Sequence, residues 1–347
     1  VLPKVHLHCH LEGALRAATF FELAAKHGVS TIYRPKAGDA FDGVPNTPRT
    51  LEDVYRFANF QEFLLIFAAV SRSLRDPQDY ARLAREFATD ALAQDVMHGE
   101  LFISPSVWQF FHPSIDVRAC VKAIRDALDA ATRSADVTFT LIVDLTRNFG
   151  AESALQTAEL ALSLTDLGVV GVGLGGDEAK YPPKLYAAAF ARARAGGLHT
   201  VAHAGEAAGA ASVRDAVEIL RAERIGHGVR ALEDPSVVEL LARRAIPLEI
   251  CPTSNFLTGV ASRDRVHPIL ELDSAGCIVV VDADDPALFN TSISAEYAYI
   301  ERIAGNATMA RYVGNAIEAS FADNARKTWM RERLRRACAE LPTEKRS

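Results

Sequence analysis

The stretch Ile278-Val279-Val280-Val281-Asp282-Ala283-Asp284-Asp285-Pro286 runs an apolar, β-branched segment straight into a cluster of carboxylates. An apolar run without alternation marks a strand covered on both faces, as in parallel sheets. Acids gathered at the end of such a strand call for a cation nearby, because unpaired buried charge is costly. Working outward from this strand, placed at 277–282, β-rich runs recur at 5–10, 99–103, 137–143, 169–174, 199–204, 224–227 and 247–250. Amphipathic segments at 17–27, 81–95, 115–133, 151–167, 185–196, 213–221 and 235–243 lie between them. Strands alternating with helices imply parallel βαβ units. The pattern predicts an α/β fold, a (β/α)8 TIM barrel. A doubly wound open sheet would look similar, but the strand candidates fill a barrel and the unusual polar residues fall at their C-terminal ends, where barrel sites are built.

The first two strands, ending at 10 and starting at 99, are too far apart for one crossover helix. Residues 28–49, rich in Gly and Pro, read as a loop. Thr50-Leu51-Glu52-Asp53 is expected to open a helix carrying Tyr55, Phe57, Phe60, Phe63 and Phe67. Two roles suit it: an extra helix burying Phe against the barrel, or a hydrophobic lid over the first βα loop, the insertion spanning 28–69. A helical tail is expected over 292–341, and residues 1–347 are expected to form one barrel domain.

The 347 residues are 49% hydrophobic and 24% charged with a net charge of −6, and contain no basic run able to track a phosphate backbone. Nucleic acid and anionic membrane are therefore excluded as expected partners. The five cysteines form no C-x-x-C pair, which fits a reducing compartment better than a disulfide framework or zinc ribbon. No apolar run approaches the roughly 18 residues of a membrane span, and the sequence opens directly into a strand, so a cytoplasmic location is expected.

Four segments carry chemistry. In Val5-His6-Leu7-His8-Cys9-His10, alternation would turn all three imidazoles inward, with His8 and His10 nearest the mouth as metal ligands and His6 a layer deeper. A lone inward His is usually a hydrogen-bonded core residue; the H-x-H pair at a strand end favours a metal. His203-Ala204-Gly205-Glu206 ends a strand on a third imidazole and turns to an acid suited to carrying a proton, the bland alternative being a helix N-cap. Arg224-Ile225-Gly226-His227-Gly228 flanks a buried-looking His with glycines that let another group approach. After the last strand, Asp284 can face a metal while Asp285 faces a substrate or His227; the bland alternative is an acidic loop capping the next helix. His8, His10, His203 and Asp284 thus form a ligand set, with Glu206, His227 and Asp285 left for hydrolysis.

These segments resemble the adenosine deaminase family over nearly the full length. The resemblance also rests on Pro3-Lys4, Leu11-Glu12-Gly13-Ala14, Gly173-Leu174-Gly175-Gly176-Asp177-Glu178, Cys251-Pro252-Thr253-Ser254-Asn255 and Asp284-Asp285-Pro286. It implies one Zn2+ per chain held by His8, His10, His203 and Asp284, with Glu206 protonating ring N1 of a small-molecule purine and His227 assisting the zinc-bound water. It further implies that Asp285 contacts that water or the N7 edge, that the Gly176 N–H meets N3, and that Glu12 meets the sugar. Glu12 stands where Asp is typical, His6 where an acid is common, and Asp282 where Asn is usual; the last two would sit just below the metal.

Some adenine deaminases of the family also carry Glu at the position of Glu12. The segments around Ser104-Pro105 and 285–291 favour a nucleoside, adenosine or a derivative, over free adenine. A binuclear amidase or phosphoesterase would need surplus His ligands, but His27, His98, His112, His199 and His267 fall in helices, loops or strand starts. A barrel that only binds purine or metal could have lost Glu206 and His227; this sequence retains both.

Overall fold

The computed structural model describes residues 2–32, 50 and 53–340. Strands β1 (Lys4–His10), β2 (Val96–Ile103), β3 (Thr138–Thr146), β4 (Val169–Gly175), β5 (His199–Ala204), β6 (Arg224–His227), β7 (Pro247–Ile250) and β8 (Ile278–Val281) run parallel, each paired with the next. The chain just past β8 closes the ring. Asp284 N–H donates to the His8 carbonyl at 3.0 Å, and His10 N–H donates to the Asp284 carbonyl at 2.9 Å. One residue pair lower, the Asp282 side chain replaces a ladder bond by accepting Leu7 N–H at 2.6 Å. The fold is a (β/α)8 barrel, with the strand candidates in place and several matched at both ends.

Helices α1 (Ala17–His27), α2 (Phe60–Ser73) and α3 (Pro77–Ala93) fill the long β1–β2 connection. Beyond β2 come α4 (Pro105–Phe111) and α5 (Val117–Thr132), then α6 (Gly150–Leu162), α7 (Ala187–Ala195), α8 (Ala210–Glu218) and α9 (Pro235–Arg244) after successive strands. After β7 come α10 (Pro252–Leu257) and α11 (Ile269–Ser274), and after β8 the tail helices α12 (Ile293–Ala319) and α13 (Asn324–Ala339). Among the described residues no helix is long and apolar enough to cross a membrane.

Three expectations need correction. The insertion helix starts at Phe60, not at Thr50: Asn59 caps it by accepting Glu62 N–H, whereas Thr50 and Asp53 bond to each other and the two residues between them lie outside the described residues. Most of the expected 28–49 loop lies outside the described residues. The inward alternation of β1 fails at His6, because the β1–β2 register shifts between His6 and Cys9. His6 lines a separate cavity with Phe87, Ala91 and Gln94 of α3, its ring 6.3 Å from that of Phe87. Finally, β3 continues past Val143 through Asp144. A carboxyl fits there because β4 presents glycines opposite: a Cβ on Gly173 or Gly175 would come within 2.9 or 2.3 Å of the Asp144 oxygens.

Below the mouth, the barrel interior holds a charged chain where an apolar layer would be usual. His8 Nδ1 meets Glu249 at 2.7 Å, Arg224 donates to Glu249 at 2.5 Å and to Glu100 at 2.6 Å, and all four side chains are buried. Burial alone would raise the Glu100 carboxyl, but Arg224 beside it holds it down to about 2. Removing one member of such a network strands the others. Arg224→Met, which leaves both carboxylates buried without their cation, is expected to lower stability by about 3–5 kcal/mol, seen as a lower urea midpoint. An unchanged midpoint would show that the two acids find other partners.

Candidate active site

The strand ends place the donors. β1 supplies His8 and His10, β5 supplies His203, and the turn after β8 supplies Asp284, with one donor atom from each lying within 4.8 Å of the others. His10 Nε2 faces His203 Nε2 at 3.0 Å, while Asp284 Oδ1 lies 3.5 Å from both His8 Nε2 and His10 Nε2. Burial pushes His10 down to about 4 and His203 well below its ordinary range, so both rings are neutral and offer lone pairs. His8 goes the other way: burial lowers it, but Asp284 and Glu249 raise it by more, so this point attracts positive charge. Converging imidazoles and a carboxylate form a donor set suited to a divalent, borderline-soft ion such as zinc.

The supporting side chains come from elsewhere in the sequence. Glu249 accepts from His8 Nδ1 and so turns Nε2 to the centre. Arg147, fully buried, donates to the His203 carbonyl and to that of Tyr181. Gly226 leaves space for His8, whose Cε1 would lie 2.7 Å from a Cβ there.

Glu206 follows β5 through Gly205 (φ +73°), and the carboxylate of Glu178 clamps the turn by accepting N–H from Gly205, Glu206 and Ala208 at 2.7, 3.1 and 2.8 Å. It is not an N-cap, since Gly209 precedes α8. Burial, then Asp284 and Glu178, raise its carboxyl well above the ordinary range. Nor do Asp284 and Asp285 cap the next helix, which Ser292 caps. Asp285 rests against Gly13, where a Cβ would meet Oδ1 at 1.8 Å. His227 Nε2 lies 3.6 Å from Glu206 and 3.9 Å from Asp284.

These groups open into a cavity of about 640 Å³, its mouth included. Phe60, Phe63, Leu64 and Phe67 of α2 line one side, and Gly176 (φ +100°), Asn148, Thr146 and Asp144 line another. The insertion thus presents its aromatic face to the site. Glu12 does not line this cavity: Oε1 accepts from Ser104 N–H at 2.9 Å and from the Trp108 indole at 2.6 Å. Asp144 does line it, with Oδ1 buried and unpartnered, and burial followed by Glu12 pushes its carboxyl up to about 7. Asp144, Glu249 and Arg147 were not singled out from the sequence, although a charged residue inside or directly ending an apolar strand is a visible signal for each.

The family model described as adenosine deaminase matches residues 3–337. The chain belongs to the adenosine deaminase family. Its members are metal-dependent deaminases of 6-aminopurines, and this member is a hydrolytic purine deaminase. It is 37% identical over 304 residues to an aminodeoxyfutalosine deaminase of Streptomyces avermitilis, covering 87% of this chain and 81% of that one. Among solved structures it is similar to adenine deaminase from Arthrobacter aurescens (TM-score 0.86, 28% identity, 98% of this chain and 100% of that one). It is also similar to an amidohydrolase from Burkholderia ambifaria with bound Zn (TM-score 0.81, 27% identity, 97% and 90%).

The contact between Gly13 and Asp285 is a sensitive point for a deaminase of this build. Gly13→Ala is expected to displace the Asp285 carboxyl and lower kcat/KM about 100-fold, as misplacements near 1 Å do, with metal content by mass spectrometry unchanged. Full activity would show that Asp285 has no exact place to keep.

Proposed function

We propose that this chain catalyses zinc-dependent hydrolytic deamination of a 6-aminopurine nucleoside of the adenosine type, yielding the 6-oxopurine nucleoside and ammonia. The observation that carries the proposal is the convergence of His8, His10, His203 and Asp284 at the barrel mouth, beside Glu206, His227 and Asp285. A zinc ion held by those four residues supplies Lewis acidity and a water activated near neutral pH.

The remaining work falls to the chain itself. The Gly176 N–H meets purine N3 and fixes the ring. Glu206, clamped by Glu178 and turned into the cavity, delivers a proton to N1 as water adds at C6. Asp285 holds the N7 edge or the water from the opposite wall, and His227 steadies the water. The Phe60, Phe63 and Phe67 side chains exclude bulk solvent, which strengthens these polar contacts. Neither Lys nor Arg is among the described residues lining the cavity, which favours an uncharged nucleoside over a nucleotide. A cytoplasmic location goes with this reading, supported by five cysteines that form no disulfide.

Adenine is the second reading, supported by one observation: Glu12, the residue expected at the sugar, is turned away to Ser104 and Trp108. Ammonia release from adenine, adenosine, 2′-deoxyadenosine and 5′-modified adenosines separates the two. The nucleosides are expected to exceed adenine in kcat/KM by at least about tenfold; the reverse order would sink the nucleoside reading and leave the deaminase intact. Separately, Glu206→Gln should keep about one zinc per chain and lose at least about 100-fold in turnover. Zinc loss in that variant would mean that Glu206 is a ligand.

A further inference from the structure

A chain of hydrogen bonds leads from the site to the backbone of α11, and it determines where His227 carries its proton. Ile269 N–H donates to His267 Nδ1 at 3.0 Å, so that nitrogen must present its lone pair. A neutral imidazole has one N–H, which therefore sits on Nε2 of His267. This nitrogen lies 3.2 Å from Asn255 Oδ1 and donates to it. The Asn255 amide cannot be flipped, because its NH2 would then face the His267 N–H. Its Nδ2 thus points at His227 Nδ1, 3.1 Å away, and donates to it. His227, Asn255 and His267 are buried, so water does not interrupt the chain.

We infer that Asn255 and His267 are positioning residues that lock His227 as the Nε2–H tautomer, making it a hydrogen-bond donor to the reaction centre and not a base. The other face of the ring agrees. Nε2 points toward Glu206 and Asp284, at 3.6 and 3.9 Å, and the Asp284 carboxylate attracts an N–H there where it would repel a lone pair. Burial independently keeps the His267 ring uncharged, holding it at about 4. His227 can then orient a water by donating to its oxygen, with no proton changing hands, and it cannot accept a second proton on Nδ1 without opposing the Asn255 N–H. The inference rests on the proposed place of His227 beside the attacked carbon, but the tautomer is a property of the protein alone.

The test uses 15N-histidine-labelled, zinc-loaded enzyme, with the His227 signals assigned from a His227→Gln spectrum. NMR should show Nδ1 unprotonated and Nε2 protonated in both His227 and His267; a His227 protonated on Nδ1 overturns the inference whatever the enzyme's activity. Asn255→Asp is nearly isosteric, and its carboxylate can only accept, from His267 Nε2–H on one side and from His227 Nδ1–H on the other. It should therefore move the His227 proton to Nδ1 and lower kcat at least about 100-fold, as wrong-tautomer variants do, with zinc content kept and KM within about threefold. A moved proton with kcat unchanged overturns the donor role, and an unmoved proton overturns the assignment of Asn255 as the residue that locks the tautomer. Inactivity of the parent enzyme on every 6-aminopurine would defeat the proposed function and leave the tautomer result standing.

Discussion

The pair of backbone hydrogen bonds between Asp284 and β1 is the constraint on which the site depends. They close the barrel, and they do so at the residues whose side chains converge: Asp284 N–H reaches the His8 carbonyl, and its own carbonyl receives His10 N–H. Once the ring is shut in this register, both imidazoles and the Asp284 carboxylate have little freedom left. Asp284 accepts a positive φ of +63° to make the exchange, and His227 sits at +62°. Such conformations cost roughly 1–3 kcal/mol each in non-glycine residues and persist only where the surroundings over-determine them. Here the surroundings are the closed sheet itself.

Beneath this closure lies a second requirement, that imidazoles aimed at a common point must be held against turning away. Glu249 does this for His8, Arg147 fixes the backbone at His203, and Glu178 fixes the turn bearing Glu206. Each support is a buried charge with polar partners: Glu249 has Arg224, which also holds Glu100, Arg147 has the His203 and Tyr181 carbonyls, and Glu178 has three N–H groups. Replacing such pairs with apolar residues can be neutral or stabilising in other proteins. Their value in this barrel lies in orientation, since an apolar core would leave His8 free to choose its rotamer.

Much of the barrel was legible because parallel strands announce themselves as short apolar runs. β5, β6 and β7 begin and end where the pattern places them. Errors arose where a local signal met a non-local one. Thr50 and Asp53 have a capping spacing but bond to each other, and Asn59-x-x-Glu62 does the capping. His6 obeys strict alternation on paper, and the β1–β2 register shift reverses it. The β3 pattern ends at Val143 because Asp144 looks like a loop residue; only the glycines of the neighbouring strand make room for it. The residues that converge at the mouth were readable from their strand ends; their supports are visible as charges in or beside apolar strands, but which residue each supports is not, since a carboxylate on β7 and an imidazole on β1 meet only through the closed fold.

The same reasoning bears on how the chemistry divides among the acids and imidazoles crowded at the mouth. If His227 is held as a donor, the acid–base burden passes to a carboxyl, and Glu206 is the one whose surroundings suit a proton: it is buried, near Asp284, and backed by Glu178. Asp285 is also raised by burial and by Asp284, but it is packed against Gly13, away from the clamped turn. Two carboxyls of similar chemistry are thus separated by placement. Glu206 is held beside His227 by the turn that Glu178 fixes, and Asp285 stands where the missing Cβ of Gly13 leaves space for it.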